Sequence, residues 1–419
     1  AAIKAVKGNK GAAGIDKMPV EELDGYFAEH GEEIKAQIRA KQYKPQPVRR
    51  VYIPKANGKQ RPLGIPTVVD RVIQQATAQI LSPGYERYFS DNSYGFRASR
   101  DCHSAISKAL EYLNEGYEWV IDLDIEKYFD TVNHDKLVSI LRERINDAPT
   151  LHLIRSFLGA GVMEDGLTSA TTEGVPQGGP LSPVLSNVYL DKLDKELEAR
   201  GLHFVRYADD CDIFVKSEMA ADRVMASVTS WLERKLRLKV SATKTKVVRP
   251  TKSVFLGFTF WKDAGGWKAK PADDRKVKLI QKTKEILCRK RAAARPIGDT
   301  FVKLNQLMRG WVNYFGIGSM KGFLEEYGPW MRHKVRVVIL KQWKKPKTIY
   351  NNLQKLNRMG KCSLSEEAIY RVANSRLGLY RRSAGDVMNY LLSPKVLSQK
   401  TKDRPGLVDP LSYYLARCT

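Results

Sequence analysis

Long apolar runs are missing from this chain: no stretch of the ~18 or more hydrophobic residues that a membrane-crossing helix needs occurs anywhere. Nothing near Ala1-Ala2 resembles a secretory signal, and the chain opens without Met, which leaves room for an upstream segment. Cysteine is scarce. Cys102, Cys211, Cys288, Cys362 and Cys418 are odd in number, far apart and in no Cys-x-x-Cys pair, which argues against a disulfide framework and against zinc. No internal repeat is evident. These absences predict a soluble protein of a reducing compartment, cytoplasmic and without a membrane partner, and 419 residues allow two or three domains.

Acidic side chains are the scarcer charge, 46 against 71 Lys and Arg for a net of +25, so polyanions are drawn to the chain. The excess is uneven. Residues 271–419 carry 31 basic and 11 acidic side chains, net +20, whereas residues 1–270 carry 40 and 35, net +5. The first part reads as an enzyme body and the last third as a phosphate-binding surface. A solvated, disordered tail is the ordinary alternative. Against it, Trp311, Tyr314, Phe315, Trp330, Trp343, Tyr350, Tyr370, Tyr380, Tyr390, Tyr413 and Tyr414 interleave with the charges, and disordered tails are poor in aromatics. A folded basic region with aromatics can bind backbone and stack on bases.

Patterning predicts the elements coarsely. Before residue 270, strand and helix patterns alternate without βαβ regularity, which suits α+β. From Lys276 to about Lys345 the pattern turns helical, with Phe301, Leu304, Leu307, Met308, Trp311, Tyr314 and Phe315 at three- and four-residue steps on one face. Residues 341–347 read as a linker, because Pro346 breaks a helix.

Two acidic strand ends carry the chemistry. Residues 204–213 form two apolar runs around Tyr207-Ala208-Asp209-Asp210, where a hairpin ordinarily turns through Gly or Asn. Adjacent like charges repel unless a cation lies between them. A solvated acidic turn is the commoner explanation of such a pair, and a third carboxylate displaces it: alternation along residues 119–125 puts Val120, Asp122 and Asp124 on one face, with Asp124 at the strand's end. If the strands are neighbours, Asp124, Asp209 and Asp210 converge. Three hard oxygen donors without nearby His or Cys suit Mg²⁺.

This pattern resembles the palm of a template-dependent polymerase, and further motifs narrow the resemblance to the reverse transcriptases of bacterial and organellar group II introns. Residues 8–16 (Gly-Asn-Lys-Gly-Ala-Ala-Gly-Ile-Asp) resemble that family's N-terminal extension, and residues 50–55 and 61–66 its first fingers block. Tyr94-Gly95-Phe96-Arg97, the Asp124 strand, residues 174–183 around Gln177, the Tyr-Ala-Asp-Asp turn, Lys244 after a Leu-Lys-Val strand, and Phe255-Leu256-Gly257-Phe258 follow in the family's order.

The resemblance implies a right-hand polymerase fold, α+β, with fingers and palm over residues 1–270 (N-terminal extension about 1–45), a helical maturase-type thumb over 271–345 and a basic, mostly helical DNA-binding domain over 346–419. It implies an RNA-directed DNA polymerase that extends a DNA primer on an RNA template with deoxynucleoside triphosphates, binds its own group II intron RNA to assist splicing, and meets target DNA. Asp124, Asp209 and Asp210 would hold two Mg²⁺ ions, with Mn²⁺ as a substitute. Lys55 and Arg61 would clamp the triphosphate, Gln177 would lie near the sugar, Phe129 would exclude a 2′-hydroxyl, and Lys244 would protonate the departing pyrophosphate. Each has a plainer reading: surface charges on a hairpin for Lys55 and Arg61, a tight turn for the Gln177 loop, a core aromatic for Phe129 with Tyr128 next to it, and a phosphate-facing cluster for Lys244 with Lys239 and Lys246. The chain stops without a Cys-pair, His-Asn-His endonuclease block, so an endonuclease-lacking type is expected. Retron, diversity-generating and CRISPR-linked reverse transcriptases, and a splicing-only maturase, remain the alternatives.

Overall fold

Residues 119–125 and 203–215, both apolar on one face and acidic at one end, become neighbours in a single sheet. The structure is a computed structural model and describes residues 1–54, 58, 60–164, 166–359, 364–402 and 404–418. It divides into two units, Ala1–Leu256 and Gly257–Thr419.

The first unit opens with helices α1 (Ala2–Gly8) and α2 (Leu23–Arg39), strands β1 (Val48–Pro54) and β2 (Gln60–Ile65), helices α3 (Val68–Glu86) and α4 (Cys102–Asn114), and strand β3 (Trp119–Leu123). Helices α5 (Tyr128–Thr131), α6 (His134–Arg142) and α7 (Ala148–Leu158) and strands β4 (Val162–Glu164) and β5 (Leu167–Ser169) follow. Helix α8 (Ser182–Ala199), strands β6 (His203–Tyr207) and β7 (Asp210–Val215), helix α9 (Glu218–Trp231) and strand β8 (Lys246–Val248) complete it. Two four-stranded sheets result, ordered β2-β1-β4-β5 and β6-β7-β3-β8. Helix starts follow from the sequence: Thr67, Asp101, Asn133, Asp147 and Ser217 each accept, through the side chain, the N–H three residues on. Leu190, Leu193 and Leu197 of α8 share one core with Ile121, Leu123, Phe204 and Ile213 of the sheet, so the strand ends are anchored from behind. The Leu-Lys-Val segment expected as a strand is a single bridge, Ile125 with Val240; the pairing strand is β8, because the loop before it folds back on Asp124.

The second unit begins with the hairpin of β9 (Phe258–Asp263) and β10 (Gly266–Pro271) and is otherwise helical: α10 (Asp273–Ile286), α11 (Arg289–Ala293), α12 (Ile297–Phe315), α13 (Lys321–Trp343), α14 (Pro346–Met359), α15 (Glu366–Ala373), α16 (Leu379–Ala384), α17 (Asp386–Leu391), α18 (Pro394–Ser398) and α19 (Pro410–Cys418). The hairpin, read from sequence with the preceding residues, lies in this unit because Phe258 packs on Tyr314 and Phe315, with ring centroids 5.8 and 5.0 Å away. On α12, Phe301, Leu304, Met308, Val312 and Phe315 are buried and Tyr314 is exposed. Helix α13 ends at Lys344, whose φ is +55°, and Pro346 opens α14, where a missing N–H costs no helix bond. Residues on both sides of that junction, Leu340 and Leu353 among them, share one core. Most of the interleaved aromatics build it: Trp311, Trp330, Trp343, Tyr350, Tyr413 and Tyr414 pack against it, whereas Tyr370, Tyr380 and Tyr390 are more than half exposed. Among the described residues no helix is long and apolar enough to cross a membrane, and no disulfide joins Cys102, Cys211 or Cys288.

Candidate active site

Strands β6 and β7 are joined by Ala208 and Asp209 alone, the last cross-strand pair being Tyr207 with Asp210. Ala208 has φ +59°, a left-handed conformation that costs an L-residue roughly 1–2 kcal/mol. Strand β7 runs antiparallel to β3 with Leu123 opposite Cys211, so one further step sets Asp124 beside Asp210. The loop before β8 is tied to the same strand end: Ser241 N donates to the Asp124 carbonyl at 2.9 Å, and Asp124 N donates to Thr245 Oγ1 at 3.1 Å. That loop delivers Lys244, whose Nζ lies 2.9 Å from both carboxylate oxygens of Asp124.

Charge at this sheet end is unbalanced. The Asp210 carboxyl is pushed up to about 6, first by the protein crowding it and then by the negative charges of Asp209, Asp124 and Asp122, with Lys244 opposing. Its surface still opens to solvent at the strand end, so the neighbouring charges add materially to the effect of burial. Lys244 is held above the ordinary lysine value, chiefly by its bond to Asp124 and further by Asp124, Asp210 and Asp209. Behind them Asp122 and Asp212 face each other across β3 and β7; both are pushed up by burial, and Lys246 opposes the shift at Asp122 from 3.7 Å.

These donors fit a divalent cation in chemistry: three carboxylates belong to one sheet end and its turn, and Asp210 is held toward its protonated form by burial and by the other two. No three His, Cys, Asp or Glu side chains among the described residues are gathered closely enough to hold an ion as they stand. At Asp124 the Lys244 ammonium takes both oxygens.

A second cluster lies between the first sheet and α5. Arg61 Nε donates to Gln177 Oε1 at 3.0 Å, and Gly64 N donates to the Gln177 carbonyl at 2.8 Å. Gly178 is required here: its φ is +127°, and a Cβ would stand 2.6 Å from the Gly64 carbonyl oxygen. Gln177, Phe129, Arg50 and Gly174 line a cavity of about 340 Å³. Phe129 is nearly buried at its wall, and Val175 N donates to its carbonyl at 2.6 Å. Tyr128 points into the core instead, with its hydroxyl donating to the Ser186 carbonyl at 3.1 Å. The other expected clamp residue, Lys55, lies outside the described residues.

Sequence reasoning missed the support behind the turn. Arg206 and Asp194 are buried and bonded to each other, and Gly95 packs under Ala208. The signal was present: Arg206 is a lone cation in the apolar strand Phe204-Val205, and Asp194 interrupts an α8 face of leucines.

Comparison with known proteins agrees with this geometry. Residues 53–260 match the family described as Reverse transcriptase (RNA-dependent DNA polymerase), and residues 277–357 match the Group II intron, maturase-specific domain. Protein YkfC of Escherichia coli (strain K12) is 35% identical over 290 residues, which cover 59% of this chain and 76% of that protein. The Group II intron-encoded protein LtrA of Lactococcus lactis subsp. cremoris is 42% identical over 188 residues, 45% of this chain and 31% of LtrA. The Putative COX1/OXI3 intron 2 protein of Saccharomyces cerevisiae is 37% identical over 199 residues, 47% of this chain and 22% of that protein. The chain thus spans less than a third of LtrA and of this yeast intron protein.

Proposed function

Because the chain belongs to the group II intron-encoded reverse transcriptases and maturases, whose polymerases use divalent metal ions, we propose that it copies RNA into DNA at the Asp124–Asp210 sheet end. The observation that carries this reading is the juxtaposition of Asp124 and Asp210 by strand register, with Asp209 in the turn and Asp210 pushed up by burial and by its acidic neighbours. In the reaction the primer 3′-oxygen forms a bond to the α-phosphorus of a deoxynucleoside triphosphate and loses its proton, while the bond to pyrophosphate breaks. Divalent ions, two Mg²⁺ in this reading and Mn²⁺ in their place, neutralise charge at the entering and leaving oxygens when bound.

The chain's own residues supply the rest. Asp124, Asp209 and Asp210 would hold the ions. Lys244, kept protonated by its acidic neighbours, carries a proton available to the departing pyrophosphate once it releases Asp124. Arg61, oriented by Gln177, clamps the triphosphate, a role the sequence also assigns to Lys55, and Phe129 at the cavity wall crowds a ribose 2′-hydroxyl. The basic second unit, with thumb and DNA-binding roles over residues 271–345 and 346–419, holds intron RNA for splicing and meets target DNA. The setting is the bacterial cytoplasm, where these nucleic acids and nucleotides are found.

The test is primer extension with an RNA template, a DNA primer, Mg²⁺ and deoxynucleotides, beside Asp209→Ala. Product from the unaltered chain alone supports polymerisation. Product from neither points to a splicing-only maturase.

A further inference from the structure

An L-residue at φ +59° is not a conformation Ala208 takes unaided, and the atoms that hold it converge from behind the turn. Arg206 is fully buried, and its donors all have acceptors. Its Nε meets Asp194 Oδ1 at 2.6 Å, and its Nη2 meets Asp194 Oδ2 at 2.5 Å and Ser93 Oγ at 2.8 Å. The remaining nitrogen, Nη1, meets Asn187 Oδ1 at 3.2 Å and the Ala208 carbonyl at 2.8 Å. Asn187 Nδ2 in turn donates to the Gly95 carbonyl at 2.8 Å, and a Cβ on Gly95 would stand 2.3 Å from Ala208 N. Backbone bonds from Tyr94 N to the Arg206 carbonyl and from Arg206 N to the Asn92 carbonyl, both 2.8 Å, close the frame.

A buried ion pair is weak evidence for stability, since well-packed apolar residues of similar volume often do as well. Geometry explains this one better. It sits two residues before Ala208, and one guanidinium N–H is spent on the turn's own carbonyl.

We propose that Arg206, clamped by Asp194, is a positioning residue for nucleotidyl transfer: it fixes the left-handed Ala208 turn so that Asp209 and Asp210 are presented beside Asp124. The proposal rests on the reading that those three carboxylates are catalytic. Lysine keeps the charge but lacks the planar fork, so it cannot span Asp194, Ser93, Asn187 and the Ala208 carbonyl together.

The experiment uses the whole chain with Arg206→Lys, Ala208→Gly, both together, Gly95→Ala and Asp209→Ala as reference. Single-nucleotide extension is split into kcat and KM for the deoxynucleotide, and hydrogen–deuterium exchange of residues 204–213 is followed without added metal. Arg206→Lys is expected to lower kcat about 10²-fold with KM changed less than about threefold, well below its Tm, and to speed exchange in that segment. Adding Ala208→Gly, which reaches positive φ without a Cβ penalty, is expected to restore kcat about tenfold while Tm stays low. Gly95→Ala disturbs the turn with the ion pair intact and is expected to lower kcat likewise, which keeps the test decisive if Arg206→Lys does not fold. Normal kcat in folded Arg206→Lys or in Gly95→Ala, or no restoration by Ala208→Gly, would overturn the clamp while Asp209→Ala is inactive. Full activity of Asp209→Ala would overturn the carboxylate reading and this proposal with it.

Discussion

The unit Ala1–Leu256 holds 37 basic against 34 acidic side chains, whereas Gly257–Thr419 holds 34 against 12. The first brings five of its acids, Asp122, Asp124, Asp209, Asp210 and Asp212, to one sheet and its turn, where burial and then the neighbouring carboxylates raise the proton affinity of Asp122, Asp210 and Asp212. Among the described residues the second gathers no comparable cluster. Among its exposed cations, Lys345, Lys347, Arg376 and Arg381 lie in the same stretch of chain as the exposed rings of Tyr370 and Tyr380. A catalytic centre for phosphate chemistry needs local negative charge to hold cations, and a polynucleotide-binding surface needs the reverse. One chain supplies both by keeping them in separate cores.

That separation is open to a double dissociation, which carries the largest expected effects. Asp209→Ala is expected to cut primer extension by at least ~10³-fold, as loss of transition-state charge stabilisation does, while RNA affinity stays within twofold to threefold of its starting value. Changing Lys345, Lys347, Arg376 and Arg381 together to Gln is expected to do the opposite. The slope of log affinity against log salt should shrink by about 0.7–0.9 for each phosphate contact removed, with kcat at saturating template preserved. Filter binding across a salt series and steady-state extension read the two arms. If Asp209→Ala weakens RNA binding as much as the quadruple variant does, the two functions share one surface and the comparison fails.

What was legible in advance follows the same division. The carboxylates could be read because an acidic residue at the end of an apolar strand is locally unfavourable, so Asp124 and Asp210 stood out against their neighbours. Register supplied the rest: Leu123 opposite Cys211 needed only the two strands to be adjacent. Less could be read where a residue's role is set by distant partners. Arg206 draws on Ser93, Asn187 and Asp194, and no spacing in the sequence announces that meeting. The aromatics of the second unit were legible in part: their helical steps marked Trp311 and Phe315 for a core face, whereas interleaving with charge did not say which rings stay exposed for base stacking, and burial leaves Tyr370, Tyr380 and Tyr390 as the candidates.

Within the first unit, the cavity wall offers a narrower test. Phe129→Ala would remove a nearly buried ring at a cost of about 3–5 kcal/mol, so Phe129→Val is the cleaner change. Ribonucleotide incorporation relative to deoxynucleotide is expected to rise about tenfold or more in Phe129→Val. Gel-resolved extension with each nucleotide class measures it. Unchanged discrimination in a folded variant assigns Phe129 to packing alone.

The smallest expected effect compares the units by pH response: in the first, carboxyls pushed up by burial outweigh the exposed ones held low (Glu32, Asp101, Asp135 and Asp147), whereas the shifted carboxyls described in the second are all held low. In the first, burial pushes Asp191 up to about 6, with the charge of Asp194 adding, and Asp210 is likewise pushed up to about 6. Between pH ~4 and ~6 the folded carboxyls hold protons that the unfolded chain has released, so these groups lose stabilising effect as pH rises through that window, with little change above it. In the second unit Asp263 and Asp273 are held below the ordinary carboxylate range by bonds to Lys268 and Lys276, so their contribution is present above pH ~4 and is lost as pH falls. Both are surface groups, and the opposing trend they give is weak. Calorimetry from pH 4 to 7 in chelator is expected to show the first unit's transition moving down as pH rises. Mg²⁺ should blunt the Asp210 share of that trend, because a cation bound there favours the ionised carboxylate in the folded state. Asp210→Asn should remove the same share and weaken the Mg²⁺ dependence, and Asp124→Asn with Asp209→Asn added should abolish it; a full Mg²⁺ effect that survives in the triple variant would place the cation elsewhere.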